Sequence, residues 1–214
     1  MRVLAIETAS DACSIALFEG ETLLARDHRV LGRGHAEALV PMIAALPVKG
    51  RAARILVSLG PGSFTGVRIG LATARALGFA WGADVVGYPT LALIAAQAQA
   101  EDRKEYPCRP VTVCTNGGHG EWFVQDFDAG GLPLGEVMSL APDALRTRPR
   151  ALLLAGNRAE QLAEFDQSPG GTALNLLADA EAVPLLPPAL LTRVLAPIYG
   201  RGPDATPMAA DKPA

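Results

Sequence analysis

Three short apolar segments near the start of the chain stand so close together that they can only pair as neighbouring antiparallel strands. They cover residues 3–6, 14–18 and 22–28, and Gly20 and Glu21 form the short connection between the second and the third. The fold is therefore predicted to open with a three-stranded antiparallel unit.

The next segment has the spacing of an amphipathic helix. Leu39, Met42, Ile43 and Leu46 occupy the i, i+3, i+4 and i+7 positions that line one face of a helix. Pro41 lies inside this segment, and a proline removes one backbone hydrogen bond. We therefore expect a helix that is kinked or interrupted at Pro41.

A strand, a helix and a second strand follow, and this order predicts a parallel crossover. Together with the three opening strands, the order is typical of a ribonuclease-H-like α/β unit, and we assign residues 1–103 to an N-terminal domain of this class. The predicted elements are a strand at 55–58, a glycine-rich turn at 60–63, a helix at 64–81, a strand at 85–88 and a helix at 90–99.

The second half of the chain partly repeats this order. Five charges at 101–105 interrupt the apolar pattern, as expected of a surface connection between domains. We expect a smaller C-terminal domain of related topology at 104–200 and a poorly ordered tail at 201–214. The predicted elements are strands at 111–114, 122–127, 136–140 and 151–155, a short helix at 142–146, and a helix that begins at Arg158.

The charge balance argues against direct binding of nucleic acid. The formal net charge is −3, the isoelectric point is near 5.6, and no run of Lys and Arg forms a basic stripe. No window reaches the roughly 18 apolar residues that span a bilayer, and Glu7 comes too early for a secretion signal. We therefore expect a cytoplasmic protein without a membrane segment.

The cysteines and histidines form no metal-binding motif. Cys13, Cys108 and Cys114 are odd in number and lack the C-x-x-C spacing, so buried reduced thiols are expected. The three histidines stand too far apart to form a His-x-x-x-His pair on a helix. We expect no metal site in this chain, and a metallopeptidase is the least supported function considered.

The predicted helix at 64–81 carries a ridge of very small side chains. Gly66, Gly70, Ala74 and Gly78 recur every four positions and form one slanting row on the helix surface. Each interior glycine costs roughly 1 kcal/mol of helix propensity against alanine, so a close contact must compensate. Either the ridge packs tightly on the chain's own sheet, or a partner's helix lies against it. In the second case a bulky residue at Gly70 would block assembly and leave the fold near wild-type stability.

The turn before this helix is a second functional candidate. A strand, a glycine-rich turn and a helix N-terminus together direct backbone N–H groups at a phosphate. Pro61 removes one of these donors, and the turn lacks the Lys-Ser/Thr ending of a P-loop. The residues that a phosphate would contact are Gly60, Gly62, Ser63, Thr65 and Arg68.

The segment 58–75, which reads SLGPGSFTGVRIGLATAR, resembles the signature of the TsaB family, also known as YeaZ. Further segments support the resemblance: LAIETAS at 4–10, HAEALVP at 35–41, PIY at 197–199 and PDA at 203–205. The resemblance covers nearly the whole chain and is strongest in its first half.

This resemblance implies an actin-like, sugar-kinase-like (ASKHA) fold of two similar domains. It also implies a non-catalytic scaffold that assembles with the catalytic paralogue TsaD and the ATPase TsaE, for threonylcarbamoyl transfer to adenosine in the anticodon loop of tRNA. ATP or ADP and metal are then expected in the partner subunits and no cofactor on this chain alone. The chain would reach tRNA through the complex. In isolation its docking surface could pair with itself as a homodimer.

The docking surface is expected on the two helices of the first half. His35 and Glu37 stand at i and i+2, which point to different helix faces, so helix-start capping or a partner contact is favoured over an acid–base pair. The residues expected at this interface are His35, Glu37, Leu39, Met42, Ile43, Phe64, Gly66, Val67, Gly70, Leu71, Ala74, Arg75 and Gly78.

The sequence departs from the family pattern at the start of the second domain. The family usually carries an Asp-Ala-Arg run there, whereas residues 114–122 read CTNGGHGEW in this chain. A role tied to that Asp and Arg is therefore not carried over.

The main alternative is an ATP-dependent phosphotransferase or hydrolase of the same fold, which would use Glu7, Asp11 and residues 63–65. Active members of the superfamily place phosphates at the turn between the first two strands, typically with an Asp-x-Gly-Thr/Ser run. Here the turn at 7–12 reads ETASDA, and Ala9 carries a side chain where the phosphate would approach. We therefore expect weak ATP binding by this chain alone and no catalytic residue.

Overall fold

The computed structural model describes residues 1–165 and 171–200, which contain two five-stranded sheets. The strands of the first sheet are β1 (Arg2–Glu7), β2 (Ala12–Glu19), β3 (Thr22–Val30), β4 (Arg54–Ser58) and β5 (Asp84–Tyr88). Their order in the sheet is β3-β2-β1-β4-β5. The first three strands pair antiparallel, and β1, β4 and β5 pair parallel. The predicted antiparallel opening and the parallel crossover are both confirmed.

The second sheet has the same order as the first. Its strands are β6 (Val111–Gly118), β7 (Glu121–Phe127), β8 (Met138–Leu140), β9 (Leu153–Ala155) and β10 (Thr172–Leu174). The order β8-β7-β6-β9-β10 repeats β3-β2-β1-β4-β5, with β6, β7 and β8 antiparallel and β6, β9 and β10 parallel. The expected topological duplication is confirmed, although β10 was not predicted from the sequence.

Four α-helices accompany the sheets in the described part of the chain. They are α1 (His35–Ala45), α2 (Phe64–Trp81), α3 (Thr90–Asp102) and α4 (Ala159–Ala163). Short 3-10 helices occupy Pro47–Gly50, Pro142–Leu145, Ala180–Leu185 and Pro188–Leu190, and the second of these replaces the helix expected at 142–146. Helix α1 runs through Pro41 without a break, so the expected interruption does not occur, and the expected kink stays a prediction.

Helix α3 is buried on all sides between the two sheets. Leu91, Leu93 and Ile94 point in different directions around the helix, yet each is at most 1% exposed. They belong to one apolar cluster that includes Val86 from the first sheet and Val113 from the second. A helix without a polar face is the pattern expected of an element inside a core. The predicted division into 1–103 and 104–200 stays a prediction, and the predicted tail at 201–214 lies outside the described residues.

Helices α1 and α2 cover the other face of the first sheet. Leu39 and Met42 from α1 and Leu71 from α2 share a second apolar cluster with Ile6 and Val57 from the strands beneath them. The two helices also contact each other. Their apolar periodicity therefore marks the face that packs on the chain's own sheet.

The end of the described chain returns to the first half. At 192–199 the chain runs along the outer edge of β5, where Thr192 and Gly87 exchange two backbone hydrogen bonds of 2.7 and 3.0 Å. Further on, the Ile198 N–H donates to the Leu59 carbonyl at 2.7 Å. This return segment was not predicted as a structural element.

Two of the cysteines are buried and the third is not. Cys13 and Cys114 lie in the core, where burial raises the pKa of Cys13 to about 11 and that of Cys114 to about 12. Cys108 is exposed, so the expectation of buried thiols is wrong at this position. In the described ranges, no helix is both long enough and apolar enough to cross a bilayer.

Candidate functional site

The small-residue ridge of α2 faces the chain's own first sheet. A Cβ added to Gly70 would lie 2.4 Å from Thr8 Oγ1, and one added to Gly78 would lie 2.4 Å from Val85 Cγ2. Real Cβ atoms essentially never approach other heavy atoms so closely, so both glycines are required for packing of α2 on the sheet. The expectation that a partner's helix lies against this ridge is therefore corrected.

Most of the residues expected at a partner interface belong to this packed face. Only Glu37, Phe64 and Arg75 of that set are exposed. The apolar i, i+3, i+4 spacing that suggested the interface arises because those side chains fill the core beneath both helices. The buried members of the set are His35, Leu39, Met42, Ile43, Gly66, Val67, Gly70, Leu71, Ala74 and Gly78.

His35 fastens the start of α1 to the turn between β1 and β2. Its Nε2 lies 3.0 Å from the Ser10 carbonyl oxygen and 3.2 Å from the Ala12 carbonyl oxygen. Because both partners are acceptors, Nε2 carries the ring hydrogen and donates to them. The ring is only 6% exposed, whereas Glu37 points to solvent. His35 therefore has a structural role here, and the two residues do not form an acid–base pair.

Each of the two helices carries a second row of apolar residues that points to solvent. We call this set the outward helical face. Val40 is 56% exposed on α1, and Phe79 is 94% exposed on α2. The remaining members are exposed alanines that stand four residues from one another or from Val40: Ala36, Ala44, Ala72 and Ala76. Sequence reasoning missed this row because small residues at helical spacing give no sign of which face is covered.

The glycine-rich turn before α2 is docked on the turn between β1 and β2. A Cβ on Gly62 would lie 2.1 Å from the Ala9 carbonyl oxygen, and the same oxygen accepts a hydrogen bond of 2.7 Å from the Ser63 N–H. Ser63 Oγ then accepts from the Gly66 N–H at 3.2 Å and caps the helix. Close approach of the two turns explains why residue 62 is a glycine. The phosphate-binding role predicted for this loop, which includes Gly60, stays a prediction.

A cleft of about 810 Å³ opens between the two halves. The turns at 9–11 and 115–119, the start of α2, one side of α3 and residues 197–200 line it. Arg68 stands at its edge, with its guanidinium 3.2 Å from the ring centroid of Phe64 and Nη2 donating to Tyr199 Oη at 2.8 Å. Thr65, the remaining member of the predicted phosphate loop, is exposed beside the cleft and does not line it.

A row of buried polar side chains lies beside this cleft, at the carboxyl ends of the parallel strands. The strand register that pairs Ser58 with Tyr88 also places Glu7 next to Ser58, and all three are fully buried. Thr90, the first residue of α3, continues the row into the wall of the cleft and is only 2% exposed.

Glu7 is held in a mostly apolar environment. Its Oε1 accepts a hydrogen bond of 2.7 Å from the Ala9 N–H, and its Oε2 has no hydrogen-bond partner within the described residues. Burial raises the pKa of this carboxyl to about 7, and the Ala9 N–H with the nearby hydroxyls of Ser58 and Tyr88 offset part of the rise. Glu7 is buried while Asp11 is exposed and lines the cleft, so these two carboxyls do not face the cleft together.

Neither the buried row nor the cleft contains a recognisable metal centre. Across residues 1–165 and 171–200, no three histidine, cysteine, aspartate or glutamate side chains are grouped in a way that could hold a metal ion.

Comparisons with known proteins match proteins named for the threonylcarbamoyl modification of adenosine in tRNA. The model of the family described as "TsaD: tRNA N6-adenosine threonylcarbamoyltransferase" matches residues 29–181. The tRNA threonylcarbamoyladenosine biosynthesis protein TsaB of Escherichia coli K12 is 34% identical over 161 residues, which are 71% of this chain and 68% of that protein. An uncharacterized protein of Mycobacterium tuberculosis H37Rv is 30% identical over 97% of this chain and 95% of its own length.

The solved structures point the same way. YeaZ from Pseudomonas aeruginosa superposes with a TM-score of 0.76 at 25% identity, covering 92% of this chain and 99% of that one. The likeness confirms the expected two-domain actin-like fold. The chain belongs to the TsaB family, also called YeaZ, whose members are tRNA threonylcarbamoyladenosine biosynthesis proteins.

Proposed function

We propose that this chain is a non-catalytic subunit in the threonylcarbamoyl modification of adenosine in tRNA, and that it acts by docking on a TsaD protein. The observation that carries the proposal is the outward helical face, where Phe79 is 94% exposed and Val40 is 56% exposed. Exposed apolar side chains on two helices that contact each other favour an interaction site, because they cost solubility until a partner covers them. Phe79 is the expected anchor, since aromatic residues dominate interface energies.

The choice of TsaD as occupant rests on shared ancestry. The TsaD family model matches residues 29–181 of this chain, and that range contains both α1 and α2. A TsaD protein is therefore expected to present equivalent helices. Two related chains can then pair through the same helices about an approximate two-fold axis, as in an isologous dimer.

The geometry of the β1–β2 turn favours a non-catalytic role. In this fold class a phosphate would approach that turn, but residues 62 and 63 already occupy the space beside the Ala9 carbonyl oxygen. Of the two carboxyls at this turn, Glu7 is buried and only Asp11 is exposed. ATP or ADP and metal would then belong to the partner subunits TsaD and TsaE.

The charge distribution supports indirect contact with tRNA. The chain has a formal net charge of −3, and phosphate contacts usually dominate the affinity of nucleic-acid-binding proteins. We therefore assign tRNA binding to the assembled complex, which would work in the cytoplasm where tRNA is modified.

The test is binding to the TsaD protein from the same cell, measured by calorimetry and by co-elution. We expect Phe79→Asp and Val40→Asp each to weaken binding at least about tenfold, because a desolvated charge would replace an apolar anchor. Leu134→Asp is the matched control, since Leu134 is 64% exposed in the second half, away from α1 and α2. Wild-type affinity in both face variants would refute the docking proposal.

A further inference from the structure

One wall of the cleft contains a buried hydroxyl without a partner. Thr90 is 2% exposed and lines the cleft, and its Oγ1 has no hydrogen-bond partner among the described residues. A buried polar group that is left unpaired costs roughly 1–3 kcal/mol. A polar group that enters the cleft could supply the missing hydrogen bond.

The edge of the cleft contains a cation that no acid neutralises. Arg68 donates to the Phe64 carbonyl at 3.4 Å and to Tyr199 Oη at 2.8 Å, and its guanidinium lies against the Phe64 ring. None of these partners is acidic, and the structure gives Arg68 no carboxylate partner in the residues that it describes. A guanidinium in this setting can bind an anion with little competition.

The surface between Arg68 and Thr90 is largely apolar. Val67, Ile94 and Phe123 line this part of the cleft. At the edge, the rings of Phe64 and Tyr199 lie 6.3 Å apart and offer flat contact surface. A volume of about 810 Å³ falls within the range of sites that hold small organic molecules.

The two hairpin turns do not favour a polyphosphate. Neither the turn at 9–11 nor the turn at 115–119 contains a lysine or an arginine. The Ala9 N–H already donates to Glu7 Oε1 at 2.7 Å, and the Ala12 N–H donates to Ser10 Oγ at 3.2 Å, so these donors are not free for phosphate oxygens. A single guanidinium at the edge matches a single acidic group instead.

We propose that the cleft binds a small organic monoanion with a flat apolar body, whose acidic group pairs with Arg68 and whose other end hydrogen-bonds to Thr90. This site is independent of the proposed docking function. Arg68 and Phe79 are eleven residues apart on α2, or about 16 Å along the helix axis.

The probe for this site is 6-hydroxy-2-naphthoate, whose carboxylate can pair with Arg68 while its hydroxyl hydrogen-bonds to Thr90. It is added to the full-length chain and followed by calorimetry and by two-dimensional NMR. Its neutral analogue 6-(hydroxymethyl)-2-naphthol and its cationic analogue 6-(aminomethyl)-2-naphthol test the charge requirement. We expect 6-hydroxy-2-naphthoate to bind at least about tenfold more tightly than either analogue, because a hydrogen-bonded charge is worth more than a neutral contact.

Two variants test the residues. Arg68→Gln should weaken 6-hydroxy-2-naphthoate binding about tenfold by removing the charge partner, and Thr90→Val should weaken it about fivefold by removing the hydrogen bond to the probe's hydroxyl. Arg75→Gln is the control, because Arg75 is exposed on the same helix and donates to the Leu195 carbonyl. Unfolding midpoints of all variants show whether a loss of binding reflects a loss of fold. Absence of binding in the wild type, equal binding of the three probes, or wild-type affinity in folded Arg68→Gln would each overturn the proposal.

Discussion

The Thr8 carbonyl oxygen occupies the space beside Gly66 that a side chain would need, since a Cβ on Gly66 would lie 2.1 Å from that oxygen. The Thr8 hydroxyl in turn donates to the Gly66 carbonyl at 2.8 Å. These two residues join the end of β1 to the start of α2 and position the glycine-rich turn against the first hairpin.

This contact predicts the effect of side chains on the small-residue ridge. Gly70→Leu should lower the free energy of unfolding by about 1–3 kcal/mol, because the added atoms collide with Thr8 and overpack the core. Ala72→Leu, at an exposed position of the same helix, is the control and should change stability by less than about 0.5 kcal/mol. Urea denaturation measures both. Near-wild-type stability of Gly70→Leu would restore the idea that the ridge faces a partner.

The buried Glu7 carboxyl predicts a pH-dependent stability. Its pKa is raised from 4.5 to about 7 on folding, so the folded state binds this proton more tightly than the unfolded state. The contribution of Glu7 to the free energy of unfolding is therefore fully present below about pH 4.5. It is lost as the pH rises through about 7, and the total loss is roughly 3 kcal/mol.

The variant Glu7→Gln isolates this contribution, because Gln has no titrating group and can still accept from the Ala9 N–H. We expect the free energy of unfolding to decrease between pH 5 and pH 8 in the wild type, and to decrease less in Glu7→Gln. Urea denaturation at the two pH values measures it. Parallel pH profiles for the two proteins would show that Glu7 does not titrate in this range.

A bidentate ion pair fastens the end of α3 to the start of the second sheet. Arg109 donates from Nε and Nη2 to the two oxygens of Asp102 at 2.7 Å each, and Nη2 also donates to Thr172 Oγ1 at 2.7 Å. The Asp102 side chain is 3% exposed, so Asp102→Asn should cost roughly 3 kcal/mol of stability because it removes the buried carboxylate of this pair.

The control for this pair is Asp143→Asn. Asp143 pairs with Arg146 at 3.0 Å, but both side chains are mostly exposed, so the loss should be below about 1 kcal/mol. Chemical denaturation measures the free energy of unfolding of both variants. Equal losses of stability would mean that burial of the Asp102–Arg109 pair does not increase its contribution.

The outward helical face predicts self-association when no partner is present. A two-fold dimer places the same surface of two copies against each other, so this face can cover itself, and we expect the isolated chain to form a concentration-dependent dimer. Phe79→Asp should remove the dimer, and Leu134→Asp should keep it. Light scattering coupled to size-exclusion chromatography gives the mass directly. A wild-type chain that stays monomeric at high micromolar concentration would contradict the prediction.

The sequence alone determined the elements whose signals are local. Helix α2 begins and ends as predicted because Ser63 caps its start and Gly82 ends it in the left-handed conformation, and both effects act within one helical turn. The three opening strands were equally predictable, since their short connections allow only antiparallel neighbours. The family resemblance also depended on segments that are contiguous in sequence, such as residues 58–75, and the comparisons with known proteins confirm it.

Tertiary structure decided which side of each element is covered. The glycine ridge of α2 was compatible with a foreign helix or with the chain's own sheet, and only the long-range approach of Thr8 selected the sheet. The outward helical face, the exposed Cys108 and the return of 192–199 to the edge of β5 likewise depend on contacts between residues far apart in sequence. Periodicity shows that a helix has two faces, but burial follows from what packs against each face, and that information is not local.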